Sequence, residues 1–557
     1  MNRRVAETDK IPDDEWRLDE EPIRVEREPA LTPVTTTIET NLSHERLTRA
    51  VYVVTAEHVA WYVLALYALI TRLVALGARP LDPAQGAQAL AAFLIAGHGR
   101  AALALSDASW VTMLQGWIFA AIGGSDATSR IVVILCALLI VAIGFAMRPV
   151  LGRAGGLAFA AVIAISPSVT YFSRGGSTAI ASLAFMMIAI AIAENMRRRA
   201  TIVRSFALGV AIAVWLSADP IGYVTAAAIV LSLILVGAVD LVTMTYRLLR
   251  MRVWWARRRA MVTVGTIVAI ALLVVLTTGF FHRPLPASFE YYLSAAFAPP
   301  SVAIHTAVRR LVPILGFYEF AIVALALVGV FAIVTGQIGD RFAAWSVVWA
   351  IASLVALATL SADRSDAILA ALVPLAIVGA YGIDWMHQSE QWNSIKYAIG
   401  AAVALTLYIQ FTTNFMYPAP DTSEAPWRRH ALLFWSAPTT SIQTVTECER
   451  VRSRVPVGAN AFVPDDAPQV QWYLRDFTFT ESAEGATVVV TIGKTQNGAV
   501  AGNPDSREFG FEEWWTPNFH TLTLGRAIKY LFTQRVWNDV EMRDLEIAKA
   551  EPKKPNP

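Results

Sequence analysis

The sequence predicts a polytopic α-helical membrane protein with a small α/β domain at its C-terminal end. Three observations predict it. Hydrophobic residues make up 55% of the 557 and charged residues only 16%, with a mean hydropathy of +0.48, far more apolar side chain than one soluble core can hide. Runs of about 20 apolar residues, the length a bilayer demands, recur along the first three quarters of the chain. Beyond Tyr417 the pattern changes to short alternating stretches bounded by Gly, Pro and Asp.

Taken in order, residues 1–50 read as a charged, disordered cytoplasmic tail, DDEWRLDEEP among scattered arginines, with no signal peptide. Residues 51–417 carry eleven predicted spans near 57–77, 129–148, 154–172, 178–196, 203–218, 221–244, 260–281, 311–336, 343–361, 367–386 and 397–417; the fifth is short. Eleven crossings put the two ends on opposite sides. Every second loop is basic: RPVLGR at 148–153, RRRATIVR at 197–204, RLLRMRVWWARRR at 247–259, then more weakly QIGDR and the segment ending at Lys396. Lysine and arginine are retained on the cytoplasmic side. The N-terminus is therefore expected in the cytoplasm of a plasma-membrane protein, and the 79–128 loop and the tail outside.

Within the tail, TTSIQTVTECERVRSR has a helical pattern, NAFVP, WYLRDFTFT and TVVVTIG read as strands, and TLGRAIKYLFTQRVW has helical spacing. This gives an α/β domain at 418–545 and a disordered end at 546–557. Cys136 and Cys448 are too few for a disulfide framework, and the histidines His98, His282 and His305 share no metal-ligand spacing. A net charge of +2 gives no argument for nucleic acid.

The first outer loop begins RPLDPAQGAQALAAFLIAGHGR, an interfacial helix interrupted by Gln85, Gln88 and His98. Asp82-Pro83 has two readings. An Asp cap with Pro at the first helical position is an ordinary helix start; a carboxylate at the membrane surface can also act as a base. Asp219 of WLSADPIGY reads as the cap of the following helix, Asp363 and Arg364 of SADRSD as a surface pair or a binding pair, and Tyr291 in the segment after HRPLP as an interfacial aromatic or part of a substrate groove. Arg174 ends FSRGG, either as a snorkelling arginine or as a clamp. Of the few acidic residues in the apolar spans, Asp240 and Asp384 lie towards the expected cytoplasmic ends and Glu319 about two turns in from the other, a mark of a transporter or of interhelical hydrogen bonding.

The loop and GGSDATSRIVVILCALLIVAIGFAMRPVLGRAGGLAFAAVIAISPSVTYFSR resemble the membrane glycosyltransferases of the C-type fold, related to the protein O-mannosyltransferases (family 39-like). Matching positions are Gly124, Ser125 and Arg130; Arg148, Gly152 and Arg153; and Ser166, Pro167, Ser168, Ser173 and Arg174. WYLRD and RAIKYLFTQRVW resemble a branch often labelled flippase-activity-associated. The resemblance implies transfer of a sugar from a polyprenyl-phosphate carrier to an extracytoplasmic acceptor, with membrane lipid as partner and a divalent cation allowed but not required. It points to Asp82 as base, Arg174 and Arg364 as phosphate ligands, and Gln85, His98, Asp219, Tyr291 and Asp363 as substrate-lining residues.

The chain departs from that family at its charges. Where the family has an Asp-Glu pair this chain has Ala84 and Gln85, and where it has Arg and Asp after the Ser-Arg this chain has Ser177 and Ala179. Asp82 stands two residues early, a displacement of up to about 7 Å in extended backbone, whereas base catalysis needs roughly 2.6–3.2 Å. A non-catalytic paralogue that binds lipid or glycan, and a lipid-linked sugar transporter, are the alternatives.

Overall fold

The computed structural model describes residues 56–98, 109–241, 245–297, 304–360, 364–389, 392–415, 439–492, 507–515, 517–533, 535–538 and 541–549. The cytoplasmic tail expected at 1–50 and Asp363 lie outside them. The membrane part is α1 (Ala56–Leu73), α2 (Pro83–His98), α3 (Trp110–Ile122), α4 (Ile131–Ala146), α5 (Arg148–Ile165), α6 (Pro167–Gly175), α7 (Thr178–Arg198), α8 (Ile202–Ala218) and α9 (Ile221–Leu241). It continues with α10 (Thr245–Thr277), α11 (Leu285–Phe297), α12 (Ile304–Phe317), α13 (Phe320–Val334), α14 (Arg341–Leu360), α15 (Leu369–Gln388) and α16 (Trp392–Asn414). After these come α17 (Ile442–Arg454), α18 (Pro468–Tyr473) and α19 (Leu524–Thr533), with strands β1 (Thr439–Thr440), β2 (Asn460–Phe462), β3 (Thr478–Phe479), β4 (Val488–Ile492), β5 (Arg507–Trp514) and β6 (Glu541–Lys549).

The chain is a polytopic α-helical membrane protein. All eleven predicted runs are helical. Among the described residues seven helices are long and apolar enough to cross a membrane, and a bent pair, Leu311–Phe317 with Phe320–Val334 at 94°, makes an eighth. The short fifth run is α8, 17 residues. Large apolar side chains stay exposed on the outer faces, Leu233, Ile270, Leu327 and Phe331 among them, as a lipid-facing surface requires.

Four expectations change. The run 154–172 is not one span: α5 ends at Ile165, and Ser166-Pro167 opens the separate α6, because proline starts a helix well and continues one badly. The basic segment 247–259 is no loop but the first half of the 33-residue α10, which contains neither Gly nor Pro before Gly265. WYLRD starts in α18, behind Pro468 at its first turn, and only Thr478–Phe479 is strand. The last strand runs to Lys549, into the stretch expected to be disordered, because it inserts between two partners.

The tail forms one mixed sheet in the order β1-β5-β6-β4-β2-β3. β2 pairs parallel with β3 and β4; β4–β6, β6–β5 and β5–β1 are antiparallel. Its apolar core is continuous with the segment that carries α2 and α3, since Leu81, Ala89, Ala92 and Phe119 pack with Cys448, Val470, Trp472 and Phe511. Gly86 permits the approach of α18 to α2, because a Cβ there would sit 2.6 Å from Gln469 Cα. The predicted interfacial helix is thus held between α3 and the C-terminal domain.

Candidate functional site

The site grows from the start of α2. Asp82 is its cap: Oδ1 accepts from Gln85 N at 2.9 Å, and Gln85 Nε2 donates to Oδ2. Pro83 follows at the first helical position. The cap bond replaces one orphan donor of the helix N-terminus. The preceding backbone is fixed from two sides. Arg130 donates to the carbonyls of Leu76, Arg79 (2.8 Å) and Pro80 (3.3 Å). From the C-terminal domain, Leu81 N donates to Tyr473 Oη at 2.9 Å, while Tyr473 and Trp472 donate to the two oxygens of Asp126 at 2.9 and 2.8 Å.

Asp82 faces a cavity of about 780 Å³. The lining includes Arg79, Asp82, Gln85, Gln88, Tyr171, Ser177, Asp219, Tyr291, Arg364 and Asp366, with Pro468 and Gln471 contributed by the C-terminal domain. Gly175 makes room for Gln85: a Cβ there would lie 3.0 Å from Gln85 Nε2. Burial pushes the Asp82 carboxyl above its ordinary value, and Arg79, the second influence, acts against that. Gln85 Oε1 is buried with no hydrogen-bond partner in the described structure.

A second wall is built on Arg364. Its Nη2 lies 2.9 Å from Asp219 Oδ1 and 3.0 Å from Asp366 Oδ2, and its Nε donates to Asp366 Oδ1 at 3.1 Å. Asp219 also accepts from Thr178 Oγ1 and from Ile221 N at 2.8 Å, so it caps α9 as the sequence suggests. Ser177 Oγ donates to Asp366 at 2.7 Å. The two carboxylates hold Arg364 firmly charged despite its desolvation. They converge on the guanidinium and not on a common coordination point, and among the described residues no group of three His, Cys, Asp or Glu could hold a metal ion.

Beside the cavity is a recess of about 90 Å³, lined by Arg79, Arg130, Arg174, Tyr171, Thr413, Asn414 and neighbouring apolar residues. Arg79 and Tyr171 border both spaces, and the Arg79 guanidinium lies 4.3 Å from the Tyr171 ring centre. Arg174 donates to the carbonyls of Thr71 (2.9 Å), Val74 (2.6 Å) and Ala75 (3.3 Å), closing the C-terminal end of α1, and sits 4.5 Å over Phe415. Among the described residues no acidic side chain lines the recess. Burial first, then repulsion from Arg130 and Arg79, pull the Arg174 guanidinium below its ordinary value. Thr413 Oγ1 is buried there and has no hydrogen-bond partner in the described structure.

Of the residues singled out from sequence, Asp82, Gln85, Asp219, Tyr291 and Arg364 meet in the cavity. Arg174 borders the recess instead. His98 ends α2, about 22 Å along the axis from Pro83 at 1.5 Å per residue. Glu319 sits at the α12–α13 bend, where Oε1 accepts from Ser166 Oγ (2.7 Å) and Ser168 N (2.9 Å), capping α6. Arg79 and Asp366 had no sequence signal beyond their place on the predicted outer side. The lining residues come from five separate inter-helix segments and the tail. At the other ends of these helices Asp384 accepts from Gly155 N (3.3 Å) and Tyr381 donates to Asp340 (2.6 Å).

These features define an integral membrane protein with a polar, cation-rimmed cavity at one set of helix ends. No protein-family model and no curated protein matches the chain. Solved structures with a similar arrangement include ArnT from Cupriavidus metallidurans bound to undecaprenyl phosphate, with TM-score 0.47, 15% identity and 75% of each chain covered. The apo state of that protein gives TM-score 0.45 and 14% identity over 75% of this chain and 74% of that one. The archaeal oligosaccharyltransferase AglB from Archaeoglobus fulgidus, in complex with an inhibitory peptide and a dolichol-phosphate, gives 0.42 and 12% identity, covering 75% of this chain and 63% of the other.

Proposed function

We propose that this chain is a C-type-fold membrane glycosyltransferase that takes a sugar from a polyprenyl-phosphate carrier and passes it to an acceptor on the extracytoplasmic side. The observation that carries this reading is the shared border. Arg79 and Tyr171 separate the cavity holding Asp82 from the recess holding Arg130, Arg174 and the partnerless Thr413 hydroxyl. A lipid phosphate in the recess puts its sugar at the mouth of the cavity. Asp82 then takes the proton of the acceptor hydroxyl as that oxygen bonds to the anomeric carbon. The bond from that carbon to the phosphate oxygen breaks, its electron pair leaving on the phosphate beside the arginines.

Burial raises the Asp82 carboxyl above its ordinary value, which makes its ionised form a stronger proton acceptor. Gln85 and Tyr291 are the residues assigned to the sugar. Arg364, balanced by two aspartates, sets the cavity wall and orients the donor, while Arg174 with Arg79 takes the phosphate. The basic opposite loops support the cavity side as the outer one.

A second reading rests on the cap: both Asp82 oxygens are already engaged by Gln85, as in a non-catalytic subunit that binds lipid or glycan. The experiment that separates them uses purified full-length protein in vesicles. Binding of undecaprenyl phosphate is read by native mass spectrometry, and transfer from a labelled polyprenyl-phosphate sugar by product formation. Binding retained with transfer lost in Asp82→Asn supports the enzyme. Binding without transfer in the unaltered protein supports the second reading, and transfer unaffected by the substitution ends the role of Asp82.

A further inference from the structure

The C-terminal domain returns to the membrane-spanning helices through α19, and the two sides of that helix are unlike. Its inner side is Tyr530, fully buried, whose hydroxyl lies 2.6 Å from that of the equally buried Tyr318 at the α12–α13 bend. Phe317, Trp515 and Trp537 surround the Tyr530 ring with centroids at 5.7, 5.5 and 5.1 Å. Its outer side carries Leu524, Ile528 and Phe532, exposed by 79%, 49% and 46%. Their spacing of four residues aligns them in one stripe.

Two observations identify what covers the stripe. The first is continuity with a lipid-facing surface. Tyr408 of α16 donates to the Phe532 carbonyl at 2.8 Å, and the two rings are 5.4 Å apart. Tyr408 lies six residues, about 9 Å of helix, inside the end of α16 at Asn414. That helix leaves Tyr397 and Phe411 exposed by 75% and 56%. An in-plane amphipathic helix buries its apolar face to a depth of about 5–10 Å, which is the depth Tyr408 marks. The second is charge: Arg526 and Lys529 are exposed on the faces of α19 turned away from the stripe, and from Pro517 to Val536 the sequence has no acidic residue.

We propose that α19 lies in the bilayer interface at the end of α16, with Leu524, Ile528 and Phe532 among the acyl chains and Arg526 and Lys529 among anionic headgroups. The C-terminal domain is thereby fastened to lipid as well as to protein, and this holds whatever the cavity catalyses.

The test uses the full chain in nanodiscs containing phosphatidylglycerol, with an environment-sensitive fluorophore on Ile528→Cys or Arg526→Cys. Cys136 and Cys448 are buried and leave the label specific. Nitroxide-bearing lipid is expected to quench the 528 label several-fold more than the 526 label, and a water-soluble nickel chelate to do the reverse. Equal access of the chelate to both labels overturns the proposal, because the stripe then faces water. Shielding of the 528 label from both quenchers overturns it in favour of a second copy or another protein. Hydrogen exchange of the unaltered protein gives an independent check: α19 amides are expected to exchange several-fold more slowly in phosphatidylglycerol nanodiscs than in lipid-free amphipol, and equal rates would count against lipid contact.

Discussion

Two groups of arginine border two adjoining spaces and are compensated in opposite ways. Arg364 stands between Asp219 and Asp366, its charge answered twice within 3.0 Å. Arg130 and Arg174 donate to neutral backbone carbonyls, near each other and near Arg79, in a recess with no acidic lining among the described residues. An arginine between carboxylates is a strut, stabilising while all three are present and costly when one is removed. Guanidiniums gathered on neutral acceptors retain their attraction for an anion. A cation at a membrane surface is therefore informative only together with the group that balances it.

The sharpest way to break this comparison lies between the two groups, at Asp82. Asp82→Asn is expected to lower transfer about 10²- to 10⁴-fold, the usual worth of a positioned base, without lowering Tm at neutral pH, because Asn caps a helix as well as Asp. A transfer assay beside a thermal melt reads both, and a variant that loses stability in step with activity would reduce Asp82 to a cap.

Next in size is Arg364→Met, which leaves Asp219 and Asp366 facing each other. Losing one partner of a buried pair costs about 3–5 kcal/mol, reduced to about 2–3 here because the Arg364 side chain is 32% exposed. Adding Asp366→Asn should recover part of the loss in a denaturation experiment. Full stability of the single variant would show that Arg364 is no strut.

Arg174→Met should behave in the opposite sense, weakening undecaprenyl phosphate binding about tenfold, or about 1.4 kcal/mol, more than Arg364→Met does. Titration of the lipid phosphate against both variants in vesicles decides the ranking, and the reverse order would exchange the roles of the two groups.

The smallest effect is a pH shift. Asp82 holds its proton more tightly in the folded protein than in the unfolded chain, where carboxyls titrate near about 3.9. Its contribution to stability is full below that value and is lost as pH rises through the folded one. Transfer, which needs the carboxylate, falls as pH drops through the same folded value. Arg79→Met removes the cation that opposes this elevation, so the acid limb of kcat/KM should move further upward. An unmoved limb would separate Arg79 from Asp82.

Much of this was legible in the sequence because membrane topology is a parity rule. Once the basic loops are assigned to one side, Asp82, Asp219, Tyr291 and Arg364 must share the other, and the cavity collects them. Partners within that side were not legible. Nothing in SADRSD says that Arg364 reaches Asp219, 145 residues away, or that Ser177, standing where a charge was expected, binds Asp366. Arg79 reads as one more arginine at a helix end until the fold sets it beside Tyr171. In the tail, WYLRDFTFT reads as strand throughout because it is rich in β-formers, yet Trp472 and Tyr473 close α18, a helix that Pro468 opens and that packs against Gly86.

The bond from Leu81 to Tyr473 joins positions 392 residues apart. The loop that carries Asp82 leaves the ribosome early, yet one of its braces belongs to the last quarter of the polypeptide. During synthesis the nascent chain therefore holds the Asp82 loop without its C-terminal brace until residue 473 has been made and the tail has folded, so completion of this cavity wall is tied to completion of translation. Chains cut short before residue 473 would keep the Arg130 contacts to this loop and lack the Tyr473 brace.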